Sequence, residues 1–135
     1  MTHAQEMLRT YPNEVGLDAE RLARAIDLLV DCANTCTQCA DACLSEDRMA
    51  ELARCIRLNL DCADICLAAS RVVSRQTEYD VEVTRPLVEA CLAACRSCGD
   101  ECESHGAHME HCRICAEQCR ACERTCRELL DEMAR

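Results

Sequence analysis

Cys32, Cys36, Cys39 and Cys43 stand at steps of four, three and four in CANTCTQCADAC. Cys91, Cys95, Cys98 and Cys102 repeat those steps. A third run holds Cys112, Cys115, Cys119, Cys122 and Cys126, and a fourth holds Cys55, Cys62 and Cys66. If position 59 is added, the fourth run also reads four, three, four, and that position is Asn59. Thiols at such steps could do metal chemistry, because thiolates are soft ligands for soft ions. The steps are those of one helix face. At about 100° per residue, the first and third sets each fall within about 60°, Cys55 to Cys66 within about 40°, and Cys112 to Cys126 within about 80°. An apolar stripe that faces a bundle core has this width.

The elements that must carry these stripes are legible from composition. Gly and Pro are scarce, and the chain is rich in Ala, Leu, Arg and Glu, which favours helix almost throughout. Pro12, Asn13 and Gly16 separate a short N-terminal helix, about residues 2–11, from the rest. Asp18 is an expected N-cap for a helix running to about Leu44. Ser45 is the expected cap of the next, running to about Arg75. Thr84 before Pro86 reads as a cap-then-proline start, with Tyr79 as the earlier alternative, for a third helix to about Ser104. Gly106 breaks the chain, and a fourth helix spans about Ala107 to Met133. The expected fold is all-α: one domain over residues 1–135, an antiparallel up-down-up-down four-helix bundle over about 17–133, with cysteines lining its core.

Sixteen of 135 residues are cysteine, while Phe and Trp are absent. So high a cysteine content marks either a disulfide scaffold or a metal protein. The stretch MTHAQEMLRTYPNEVG has no basic start followed by an apolar run, and no later segment is apolar enough to span a membrane. A reducing cytosol is therefore expected, where clustered cysteines point to metal. The net charge of −10 argues against nucleic acid and anionic membranes as partners. Thiols are also smaller than Leu side chains, so a core tiled with them alone would leave costly voids.

Zinc favours closed groups of four, commonly on turns. Iron–sulfur clusters favour looped motifs with a Cys-Pro, which this chain lacks. Cu(I) suits continuous rows of thiolates that bridge along and between helices. One Cu(I) per thiolate also leaves the core neutral, whereas buried bare thiolates would be prohibitive. The expected ligand is Cu(I), many ions, at about one per cysteine or slightly more. A zinc or iron–sulfur protein, and a disulfide-stapled interaction module, stay open as alternatives. No G-x-G-x-x-G, P-loop, H-E-x-x-H or Glu-x-x-His pair points to an enzyme.

At one end, His105, His108, Met109 and His111 cluster around Gly106, with Met49 expected nearby across the first loop. His105 continues the third-helix stripe, and His108 lies one turn before Cys112, so both are expected to aim at the bundle axis. His111 is expected at the stripe edge and Met109 further round. These side chains are candidates to receive Cu(I) and pass it to Cys43, Cys102 and Cys112. The aliphatic residues Ile26, Leu28, Leu29, Val72, Val73, Leu87, Val88, Leu129 and Leu130 are expected to plug the other end and to let the bundle fold without metal.

The two CxxxCxxCxxxC sets, the run at 112–126, Asn59 and the His-rich third turn together resemble the bacterial copper storage proteins, in particular their cytosolic branch. The resemblance covers nearly the whole chain. It implies a four-helix bundle holding many Cu(I) ions as thiolate clusters, for storage or detoxification without catalytic turnover. It also implies a homotetramer, a cytoplasmic location, and a cluster role for the Asn59 amide oxygen. A copper chaperone or a small-molecule thiol is the expected donor.

Overall fold

The computed structural model describes residues 1–134. Its helices are α1 (His3–Arg9), α2 (Ala19–Leu44), α3 (Ala53–Ser74), α4 (Val81–His105) and α5 (Glu110–Met133), with a 3₁₀ turn at Met49–Leu52. No strand occurs among the described residues. Each long helix packs on its two neighbours in the order α2, α3, α4, α5, and α5 closes back on α2. This is the up-down-up-down four-helix bundle, with α1 laid against α2. No described helix is long and apolar enough to cross a membrane.

Local chemistry sets the helix starts. Thr2 and Gln5 form a capping box on α1. The Asp18 carboxylate accepts the Arg21 N–H at 2.9 Å, and the Asp80 carboxylate accepts that of Glu82 at 2.9 Å. Asp80, not Thr84, is thus the cap of α4. Thr84 lies buried one turn inside, and Pro86 sits in the second turn, where its missing N–H deprives only the carbonyl of exposed Glu82. Ser45 also departs from expectation: it ends α2 and does not start α3. The chain needs residues 45–48 to reverse direction, and the 3₁₀ turn then swings Leu52 into the core before α3 begins. The last helix starts at Glu110, three residues later than composition implied, because residues 106–109 form the reversal.

The two ends of the bundle differ. At one, Leu8, Leu22, Leu29, Val73, Val88 and Leu129 are buried together, each contributing about 1.5–3 kcal/mol of apolar transfer. The α3–α4 connection, the segment after α1 and the last turn of α5 meet here. Tyr11 hydrogen-bonds Thr77 at 2.9 Å, and Arg85 donates to the Met133 carbonyl at 2.8 Å. At the other end the 45–52 and 106–109 loops face each other across an open cleft of about 320 Å³. Between these ends the core is sulfur.

Candidate metal centre

All sixteen cysteines are buried and free. Most have no exposed surface at all, as the stripe geometry requires. Sulfur–sulfur distances form a ladder along the axis: Cys66 to Cys91 at 3.6 Å, Cys62 to Cys66 at 3.7 Å, Cys32 to Cys36 at 3.8 Å, Cys36 to Cys119 at 3.8 Å, Cys55 to Cys102 at 3.8 Å. Metal–sulfur bonds of about 2.3 Å place thiolates about 4.0 Å apart in a trigonal site and about 3.8 Å apart in a tetrahedral one. Thiols in mutual contact therefore already stand at the spacing of thiolates around a metal.

Three four-sulfur groups have all donors within 4.8 Å of one another: Cys32, Cys62, Cys66 and Cys95; Cys32, Cys36, Cys62 and Cys119; Cys36, Cys98, Cys115 and Cys119. These groups share Cys32, Cys36, Cys62 and Cys119 between them, so they are segments of one row and not separate closed sites. A triad of Cys39, Cys102 and Cys115 extends the row toward the open end. Shared sulfurs suit bridging by a monovalent soft ion better than isolated tetrahedral divalent ions. Cys126 and Cys91 continue the row toward the aliphatic end.

Asn59 is fully buried in this row. Its Oδ1 accepts from the Cys98 thiol at 3.0 Å, from Cys102 at 3.4 Å and from Cys115 at 3.5 Å. Its Nδ2 donates to Cys55 at 3.8 Å. The amide is thus ringed by thiols from three helices. No buried side-chain N or O among the described residues lacks a partner.

The protonation of the row follows its burial. The thiols of Cys36, Cys95 and Cys102 are pushed well up by the hydrogen-bonded thiols around them and by burial. Burial, with Cys39 and Cys55 close by, lifts Cys43 to about 12. Hydrogen bonds from Cys102 and Cys112 draw Cys55 down to about 7, so it offers a thiolate near neutral pH. Hydrogen bonds from neighbouring thiols likewise draw Cys39, Cys91, Cys98 and Cys115 down, so raised and lowered thiols alternate along the row; metal uptake by the raised ones releases protons and weakens as pH falls.

The open end corrects the histidine assignment. His111, not His105 or His108, reaches the sulfurs: its Nδ1 lies 3.4 Å from Cys39 and 3.6 Å from Cys112. Its Nε2 meets the Glu46 carboxylate at 3.1 Å. Burial works to lower the His111 pKa, but its bonds to Cys39 and Glu46 raise it overall. His105 turns to Glu101 of its own helix at 3.3 Å, and His108 is exposed. The physical reason is the late start of α5: with residues 106–109 in a reversal, His108 leaves the helix and His111 becomes the first-turn residue facing α2. Met109 is half-buried and packs on the core, while Met49 is exposed. Glu46, Glu101 and Gln118 were not singled out from sequence. Glu46 lies in a loop with no periodic signal. Gln118 precedes Cys122 by one turn and was therefore within reach of the spacing argument; it donates to the Leu28 carbonyl at 3.2 Å. The Cys122 thiol donates to that same carbonyl at 3.1 Å.

Comparison with known proteins agrees with this geometry. Among curated proteins none matches the chain. The cytosolic copper storage protein of Streptomyces lividans, solved loaded with 10 copper equivalents, is 52% identical. The match covers 96% of this chain and 98% of that one, with a TM-score of 0.94. A structure of the same protein carrying five coppers is 54% identical over 83% of this chain and 93% of its own, with a TM-score of 0.82. A histidine-to-alanine variant of it matches at 52% identity over 87% of this chain and 98% of its own, with a TM-score of 0.85. The profile described as copper storage protein matches residues 18–131, the whole length of the four bundle helices but for the last two residues of α5. On that match the chain belongs to the copper storage protein family.

Proposed function

We propose that this protein sequesters many Cu(I) ions as thiolate-bound sites and clusters inside its bundle, holding copper out of harmful chemistry and keeping it for later use. The observation that carries the reading is the continuous row of sixteen buried, free thiols whose groups share sulfurs. Cu(I) entering as a thiol loses its proton adds no net charge, so the row can fill along its length without stranding charge in the core. The metal ligands in this reading are the sixteen cysteines with Asn59 as an oxygen donor, and His105, His108, Met109 and His111 serve the open end.

The chain acts as a single domain and as a store, without catalytic turnover. It works in the cytosol, as its Streptomyces relative does, and sixteen free thiols need such a reducing compartment to persist. A copper chaperone or a small-molecule thiol delivers the ion. Leu60 and Leu67, seven residues apart and exposed on α3, and exposed Val30 and Leu44 on α2, support self-association into a homo-oligomer, a tetramer by family resemblance.

Titration of Cu(I) into the reduced chain against a competing chelator tests the reading. Uptake close to one ion for each of the sixteen cysteines is expected. Saturation at about four equivalents or fewer, as closed tetrahedral sites would give, overturns it.

A further inference from the structure

One group of donors differs from the rest of the row. Cys39 and Cys43, one turn apart on α2, face His111 and Cys112 in the first turn of α5, and all four donor atoms lie within 4.8 Å of one another. None of the four belongs to any other four-membered group. Zinc bonds of about 2.3 Å to sulfur and 2.0–2.1 Å to nitrogen give tetrahedral edges of about 3.8 Å between sulfurs and about 3.5 Å between sulfur and nitrogen. The structure has Cys39 to Cys112 at 3.8 Å, Cys39 to His111 Nδ1 at 3.4 Å and Cys112 to His111 Nδ1 at 3.6 Å. With Nδ1 turned to the sulfurs, the Nε2–H donates to Glu46 at 3.1 Å. A carboxylate behind a ligating imidazole fixes its orientation and raises its basicity.

We propose that in the copper-free, reduced chain these four side chains form a Zn(II) site at the open end of the thiolate row, which Cys39 joins through Cys102 and Cys115. Cys39, Cys43 and Cys112 bind as thiolates, giving up whatever thiol protons they hold; with one Zn(II) and a neutral imidazole the site carries a single negative charge. The same ion in an all-cysteine group of the interior leaves two negative charges far from water, which is much costlier. His111 is a quarter exposed and Glu46 more so, so solvent screens the charge at the open end only. A single zinc therefore seats at the mouth and not in the core.

The full-length reduced chain is titrated with Zn(II) against a chromophoric chelator, with Co(II) as a spectroscopic substitute. One tight equivalent is expected. X-ray absorption of the zinc form should show three sulfurs and one nitrogen, and the Co(II) form a tetrahedral spectrum with sulfur charge transfer. His111→Ala should weaken the site by roughly 100-fold or more, and Glu46→Gln, which touches only the ring, by roughly 10-fold. A shell of four sulfurs, several equivalents of equal affinity, or zinc affinity unchanged in both variants overturns the proposal. Copper capacity, measured separately on the same samples, reports on the thiolate row and is independent of these outcomes.

Discussion

At position 59 a single amide interrupts an otherwise complete thiol template, and its surroundings set what it can do. Asn59 Oδ1 accepts from three thiols of α4 and α5, so it ties α3 to its neighbour α4 and, across the bundle axis, to α5 at one level of the row. A neutral oxygen cannot replace a thiolate as a charge-balancing ligand, but it can complete a cluster already held by sulfur. Asn59→Ala should therefore leave total copper uptake nearly unchanged and weaken the last-filled equivalents, read as a softened end to the chelator titration. Loss of half the copper would contradict this. That Asn59 faces inward was legible from the four-three-four spacing. That it meets Cys98, Cys102 and Cys115 was not, because spacing fixes a face on one helix and says nothing about which levels of its neighbours lie opposite. The histidines show the same limit. His105 and His108 were placed on the axis by extending helix periodicity through residues 106–109, where the chain is not helical, and His111 takes that place.

Among the elements, α4 meets α5 with little room to spare at Gly99. A glycine in the middle of a helix costs roughly 0.5–1 kcal/mol relative to alanine, so its presence in a 25-residue helix needs a packing reason. A Cβ there would lie 3.0 Å from Arg120 Nη1 and 3.3 Å from the Cys119 Cβ. Arg120 is the hub of a polar clamp across the two helices, paired with Asp100 at 2.6 Å, Glu103 at 2.9 Å and buried Glu123 at 3.1 Å. Arg127 also reaches Glu123 at 2.7 Å. Gly99→Ala must move Arg120 and press on the backbone side of Cys119, and overpacking of that kind costs about 1–3 kcal/mol. The net effect should be a lower melting temperature despite better helix propensity, measured by thermal unfolding of the reduced chain; a rise would show that Arg120 swings away freely. The helices themselves, their order and their inward faces were legible from periodicity and from Asp18. The α2–α3 connection was not, since Ser45-Glu46-Asp47-Arg48 reads equally well as a helix start and as a reversal, and only the demand that Leu52 reach the core decides between them.

The whole molecule is a vessel with one sealed end. Its aliphatic layer, its satisfied buried polar atoms and its capped helices exist without metal, so the copper-free reduced chain should show full helical circular dichroism; a largely unfolded spectrum would mean that metal builds the bundle. A preformed vessel needs an entrance, and the two ends offer different surfaces. At the sealed end, α1 lies against α2 and adds Leu8 to the buried aliphatic cluster of Leu22, Leu29, Val73, Val88 and Leu129, and the last turn of α5 is tied to α4 through Arg85. Glu14 and Met133 line a pocket there, but Val73 and the rest of the aliphatic layer stand between it and the sulfurs. At the other end, the cleft is lined by Glu46, Asp47, Arg48, Glu51, Leu52, His105, His108 and Met109, with Arg48 paired to Glu51 and the other two carboxylates in excess, and the first sulfurs beneath it are those beside His111. Carboxylates draw cations toward the cleft, and imidazole and thioether hold Cu(I) more loosely than a thiolate pair does, so the ion can move on. Replacing His105, His108 and His111 together with Ala should slow copper loading and removal while most of the capacity survives, because all sixteen thiols remain. Stopped-flow uptake from a Cu(I)–chelator complex measures this directly. A matched variant at the sealed end, Leu8→Ala, should leave the loading rate unchanged even if it lowers stability. Unchanged kinetics in the histidine variant, with faster loading in Leu8→Ala, would move the entrance to the aliphatic end.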